Sequence, residues 1–288
     1  MGGQGRRGVL TRCEAAVTPV MVCKGALADN VPHADPRVTK GHCFFIDGAL
    51  IPVEFLVNHR SIRWDDRAQE VSIYHIELAS HDILIANSAP AESYRDDGNR
   101  WLFQNANTTW NLTPRAPCAP VLTGGILVDR IWRRLLDRSG PRPGQVLTDE
   151  VDLHLLVDGQ RLDHILRDGS SYTFCLPESA PRDIVHIMSR AAARDVLGLA
   201  HNPRVLGVAL RNVTVFAGSR HRIIEAADER LVDGFHGHEP ELEIRWTDGD
   251  ASLPAALFDG FDGRIDLVLR LEGTTRYIAT AERSAMAA

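Results

Sequence analysis

The 288-residue sequence has no C-x-x-C pair; its five cysteines, at positions 13, 23, 43, 118 and 175, are odd in number and widely scattered. That spacing offers neither a disulfide framework nor a zinc knuckle, so no metal is expected. Basic residues are not in excess: 32 Lys and Arg stand against 38 Asp and Glu, for a formal net charge of -6. A nucleic-acid partner, which wants a clustered basic face, is therefore not expected. No run approaches the roughly 18 consecutive apolar residues of a membrane span, which sets a membrane partner aside. There is no G-x-S-x-G elbow, no Walker loop and no G-x-G-x-x-G after a strand. Hydrolase, nucleotide and dinucleotide chemistry lack their apparatus, and no cofactor is expected. Arg6-Arg7 with the small residues Ala26-Leu27-Ala28 mimics a signal peptide, but Glu14 and Pro19 interrupt the apolar core. The reading is a chain with no export signal of its own, cytoplasmic as written.

What is present begins with Thr39-Lys40-Gly41-His42, which leads into the apolar run Cys43-Phe44-Phe45-Ile46, closed by Asp47-Gly48. This is a polar pair at the mouth of a buried strand. Thr brings a hydroxyl and His an imidazole that titrates near neutral pH, so a backbone amide held between them can be polarised and its nitrogen protonated. Taken alone, the same four residues equally well close a turn and satisfy local backbone groups. The neighbouring segments tip the balance. Upstream lies Pro19 to Asn30; downstream come Gly48-Ala49-Leu50-Ile51-Pro52, Leu56-Val57-Asn58, the stretch Tyr74 to Asn87 that contains His81-Asp82, and Pro90-Ala91-Glu92-Ser93-Tyr94 with Asp97-Gly98-Asn99-Arg100.

In that order these pieces resemble the Hint domain, the autoprocessing fold shared by Hedgehog proteins and inteins, in its bacterial version, over roughly residues 17 to 105. The resemblance implies an N–S or N–O acyl shift, with Thr39, His42 and His81 as the catalytic residues around one cleft. It also implies a nucleophilic Cys or Ser at the first residue of the domain, a strand-rich segment ahead of Thr-x-x-His. Only 38 residues precede Thr39, and Cys13 is followed by Glu14-Ala15-Ala16 rather than an apolar, Gly-containing start. The expectation is a Hint domain without its front, through gene degeneration or a misplaced start codon, and inactive for want of that nucleophile. Its natural upstream segment is unknown, and family members are often secreted or at the cell surface. A missing front would expose a strand edge and invite self-association.

The expected fold class is mainly β: a Hint-like all-β domain over 17–111, a Pro-rich linker and helix over 112–149, and an antiparallel β-sandwich-like accessory domain over 150–280. Short runs bounded by Asp-Gly, Asp-Asn and Asp-Asp mark strands at Pro19 to Cys23, Cys43 to Ile46, Ala49 to Val53 and Val71 to Leu78. In the last of these Ile73, His75 and Glu77 share one face and Tyr74, Ile76 and Leu78 the other. Pro90 to Asn111 is expected to close the first domain as a short helix and loop. Three prolines from Pro114 to Pro120 suggest a linker. Leu127, Ile131 and Leu135 at spacing four, beside Val128 and Trp132, predict a helix from Gly125 to Arg138. Seven further strand-like runs between Asp152 and Leu271 suggest the sandwich.

Other constellations are weaker. His75-x-Glu77 with His81-Asp82 puts metal-ligand types close together, and His236-Gly237-His238-Glu239 does so again, but twelve histidines make such coincidences common. Trp246-Thr247-Asp248-Gly249-Asp250 lacks the full ligand spacing of a calcium loop and reads as a turn. The acceptor triplets at Asn107, Asn111 and Asn212 arise often by chance. A second functional reading, a structural or glycan-binding module of a bacterial surface protein, would put the function in the sandwich.

Overall fold

The computed structural model describes residues 6–11, 18–68, 72–96, 98, 100, 115–140, 146–178 and 185–279. It is mainly β and falls into two compact units, Met1–Pro143 and Gly144–Ala288. Cys13, the triplets at Asn107 and Asn111, and Pro114 at the head of the expected linker lie outside the described residues.

Among the described residues the first unit carries nine strands: β1 Arg6–Thr11, β2 Val20–Val22, β3 Arg37–Val38, β4 Cys43–Ile46, β5 Ala49–Pro52, β6 Ile62–Trp64, β7 Ser72–Glu77, β8 Ile83–Ala86 and β9 Ala89–Glu92. They form a sheet of order β5-β4-β9-β8, a second of order β3-β2-β6 and the ribbon β1-β7, all antiparallel. Asp47 at φ 51° and Gly48 at φ 85° supply the left-handed pair that a two-residue hairpin between β4 and β5 requires. A single 3-10 turn, Val53–Leu56, follows β5. Two expectations are corrected here. The Gly- and Arg-rich stretch over residues 1–16 would by composition be poorly ordered, yet Arg6–Thr11 within it form β1, paired along the whole of β7. Ala89–Glu92, expected to begin a helix, is a strand, because it zips onto Ile83–Ala86 across a two-residue turn at Asn87 and Ser88.

The only α-helix among the described residues, α1 (Ile126–Arg138), starts after Gly125, whose φ of 89° a side chain would resist. Its spacing-four stripe buries Val128, Ile131, Trp132, Leu135 and Leu136; Val128, Ile131 and Leu135 join Val20, Phe44, Ile51, Leu56 and Ile62 in one core. Burying side chains of this size contributes roughly 1.5–3 kcal/mol each. Trp132 Nε1 donates to the Val57 carbonyl at 2.8 Å, which satisfies the one polar atom that burial of the indole would otherwise strand. The helix is thus integral to the first unit's core.

The second unit stacks two antiparallel sheets about one core. One has the order Gln160–Asp163, His154–Val157, Val185–Met188, Asp250–Ser252; the other runs Leu166–Asp168, Ser171–Leu176, Ile265–Thr274, Val208–Ala217, Arg220–Glu225, with Arg245–Trp246 added to Val208–Ala217. Period two does the sorting: Tyr172, Phe174 and Leu176 from one strand and Leu267, Leu269 and Leu271 from its neighbour turn inward, against Leu155, Val157, Val185 and Ile187 of the facing sheet.

Candidate functional site

Antiparallel register brings three chain segments together at one end of the β5-β4-β9-β8 sheet. Phe44 pairs with Ala91 and Ile83 with Glu92, so the start of β4, the end of β9 and the start of β8 meet there. His42 immediately precedes β4, Glu92 ends β9 and His81 stands two residues before β8. The turn that aims His42 is closed by its own N–H donating to the Thr39 carbonyl at 3.0 Å, and the 3-10 turn after β5 pins it, with Val53 N donating to His42 O at 3.0 Å and Glu54 N to Lys40 O at 3.1 Å. On the other side, Asp82 N donates to Ser93 Oγ at 2.9 Å and Ser93 N to Asp82 O at 2.8 Å. Those two bonds hold the His81 segment against the strand end that carries Glu92.

Glu92 is the hub. Its Oε1 accepts the Cys43 backbone N–H at 2.7 Å and lies 3.9 Å from His42 Nδ1, while its Oε2 lies 3.3 Å from His81 Nε2. The His81 side chain has no exposed surface, and those of Glu92 and His42 are 10 % and 17 % exposed. His81 Nδ1 accepts the backbone N–H of Cys118 at 3.0 Å. With Nδ1 accepting, the ring's own proton belongs on Nε2, where it donates to Glu92. His75 packs edge-on against His42 at 5.3 Å between ring centroids, and Tyr94 against His75 at 5.6 Å.

Burial sets the charge states. The His42 pKa is lowered, first by loss of water and further by His81, with Glu92 opposing; burial and then the neighbouring His42 push His75 down to about 4. Burial, and then the Asp96 carboxylate, raise the Tyr94 phenol. At neutral pH His42 and His75 are therefore neutral imidazoles. In that form His42 can take a proton from a nucleophile and, once charged beside Glu92, is an acid strong enough to pass it to a departing nitrogen.

Of the three residues singled out in sequence, the structure gathers His42 and His81, 39 positions apart, on one carboxylate, while Thr39 reaches the same turn through its carbonyl with a part-buried side chain. Sequence reasoning passed over Glu92, Tyr94 and Cys118 as site residues, and weighed His75 only as a metal ligand. One usable signal was an acidic residue ending the apolar strand Ala89-Pro90-Ala91, where a solvated charge would more usually sit in the following turn. Among the described residues no group of three or more His, Cys, Asp and Glu is arranged to hold a metal ion, and no helix is long and apolar enough to cross a membrane.

No curated protein and no solved structure matches the chain. The Hint domain family model matches residues 4–98, which run from just ahead of β1 to just past the Glu92 hub. The chain carries a Hint domain over that stretch, within its first unit.

Proposed function

We propose that the first unit is a Hint-type autoprocessing domain, of the kind that performs an intein- or Hedgehog-like acyl shift, with Thr39, His42 and His81 acting on a scissile amide. The observation that carries this reading is the sharing of Glu92 by His42 and His81 in a nearly dry pocket. An acyl shift has to move one proton from a nucleophile to a poor leaving nitrogen, and two imidazoles tied to one carboxylate are suited to that transfer. Glu92 is a positioning residue here, since it holds the His81 ring through a hydrogen bond and offsets the charge His42 gains on protonation. The front of the chain is assigned no nucleophile: Cys13 lacks the sequence context of one, and processing ahead of Thr39 is not expected in the native protein.

Complementation tests the reading. A variant in which the residues ahead of Thr18 are replaced by a reporter and a Cys-led front segment from an active Hint domain should release the reporter in a thiol-dependent way. His42→Ala in that background should slow release at least tenfold. A folded graft that releases nothing would remove the reading.

A further inference from the structure

Residues 115–122, beyond the Hint-domain match, lie across the site. Arg115 donates to the Leu78 carbonyl and sits 3.7 Å from Glu77. Further on, Leu50 N donates to Pro120 O and Leu122 N to Leu50 O, both at 2.9 Å, in a parallel bridge of Val121 with Leu50 at the edge of β5. Between these anchors the chain passes over His81, and the atom it presents is a peptide nitrogen: Cys118 N, 3.0 Å from His81 Nδ1. His81 is in turn backed by Glu92 at 3.3 Å. The residue that owns the nitrogen also owns a thiol, and it is exposed to solvent.

We propose that the Pro117–Cys118 peptide bond is a substrate of this cluster, with Cys118 as the nucleophile and His81, positioned by Glu92, as the proton donor to the departing nitrogen. The inference rests on the acyl-shift reading of the site and adds the bond and the nucleophile. Cys118 Sγ attacks the Pro117 carbonyl carbon through a five-membered ring of Sγ, Cβ, Cα, N and C. The thiol releases its proton to solvent, an equivalent proton enters the cluster through Glu92, which is 10 % exposed, and His81 gives a proton to the Cys118 nitrogen as the C–N bond breaks. One S–H and one C–N bond are lost, one C–S and one N–H bond are gained, and no electrons leave. The thioester then yields to water, or to an added nucleophile, leaving a carboxyl group on Pro117 and a new chain that begins at Cys118. Burial and the carboxylates of Asp82 and Glu92 hold the thiol above its ordinary pKa. The thiolate is therefore scarce at neutral pH and the shift is slow until alkaline conditions or a trapping nucleophile draw it forward.

The whole chain, incubated with hydroxylamine between pH 7 and 9 and followed by intact mass, is the test. Expected are two fragments, 1–117 as the hydroxamate and 118–288 with an N-terminal cysteine, at a rate that rises with pH. Cys118→Ala should lower their yield at least tenfold, and so should His81→Gln. Cys118→Ser should give the same fragments more slowly, through an ester, and Cys175→Ala should change nothing. Thermal melting identifies any variant that has lost its fold, and Glu92→Gln serves as the second variant where His81→Gln has. An uncut native chain, or a cut at this bond that survives Cys118→Ala or both cluster variants, would overturn the proposal. If the native chain stays intact while the front-segment graft releases its reporter, only this inference falls; a folded graft that is also silent removes the function on which it rests.

Discussion

At the scale of single residues, the first unit's end cluster stores a pH dependence. His75 titrates at about 4 in the folded chain and near 6.5 when unfolded. Below pH 6.5 the unfolded chain gains a proton that the folded chain refuses, so stability falls as pH drops and levels off below about 4. Integrated over that window the loss is up to about 3 kcal/mol from this one ring. Urea midpoints between pH 7 and 4 should show it, and His75→Gln should flatten the curve; an equally steep curve in the variant would assign the effect to other groups. Asn58 makes a second prediction. It is fully buried, and its Oδ1 accepts N–H bonds from Arg60, Ser61 and Ile62, each at 3.0 Å. Asn58→Ala strands those donors and should cost about 2–4 kcal/mol, read from chemical denaturation. Neither role was legible beforehand: Asn58 is one polar letter after Leu56-Val57, and what Glu92 does depends on partners 11 and 50 positions away.

At the scale of elements, local pattern served well where one period ruled. The spacing-four stripe of Leu127, Ile131 and Leu135 placed the helix to within a residue of its ends. Leu135→Ala should destabilise the first unit by about 2–5 kcal/mol, because the side chain is 1 % exposed in the shared core. A loss under 1 kcal/mol in thermal or urea unfolding would mean that the helix is not part of that core. Pattern left β7 undecided, because its two faces compete. Hydrophobicity alone would bury Tyr74 and Ile76, yet these are 65 % and 47 % exposed, while Ile73, His75 and Glu77 are part-buried. Ion pairing decides the outcome. Glu77 takes Arg100 at 2.6 and 3.0 Å, and His75 packs between His42 and Tyr94. Satisfied charge makes the polar face the inner one. Such partners come from elsewhere in the chain, so alternation within one strand does not reveal them.

At the scale of the whole molecule, composition and turn spacing indicated a mainly β chain with a sandwich in its second half, and the structure has both. Each unit owns a closed core, so chains 1–143 and 144–288 should each unfold cooperatively when expressed alone. A piece that stays unfolded by circular dichroism would contradict that. The central claim, however, is about the first unit: that its two site imidazoles act through one shared carboxylate. Ring nitrogen spectra of His42, His75 and His81 recorded against pH test it most directly, in the native protein and in Glu92→Gln. The account predicts that His42 titrates below 6.5 and moves lower still when the Glu92 charge is removed, because that charge is the one influence raising it. His42 titrating at or above 6.5, with no response to Glu92→Gln, would contradict the shared carboxylate and the proton transfer built on it.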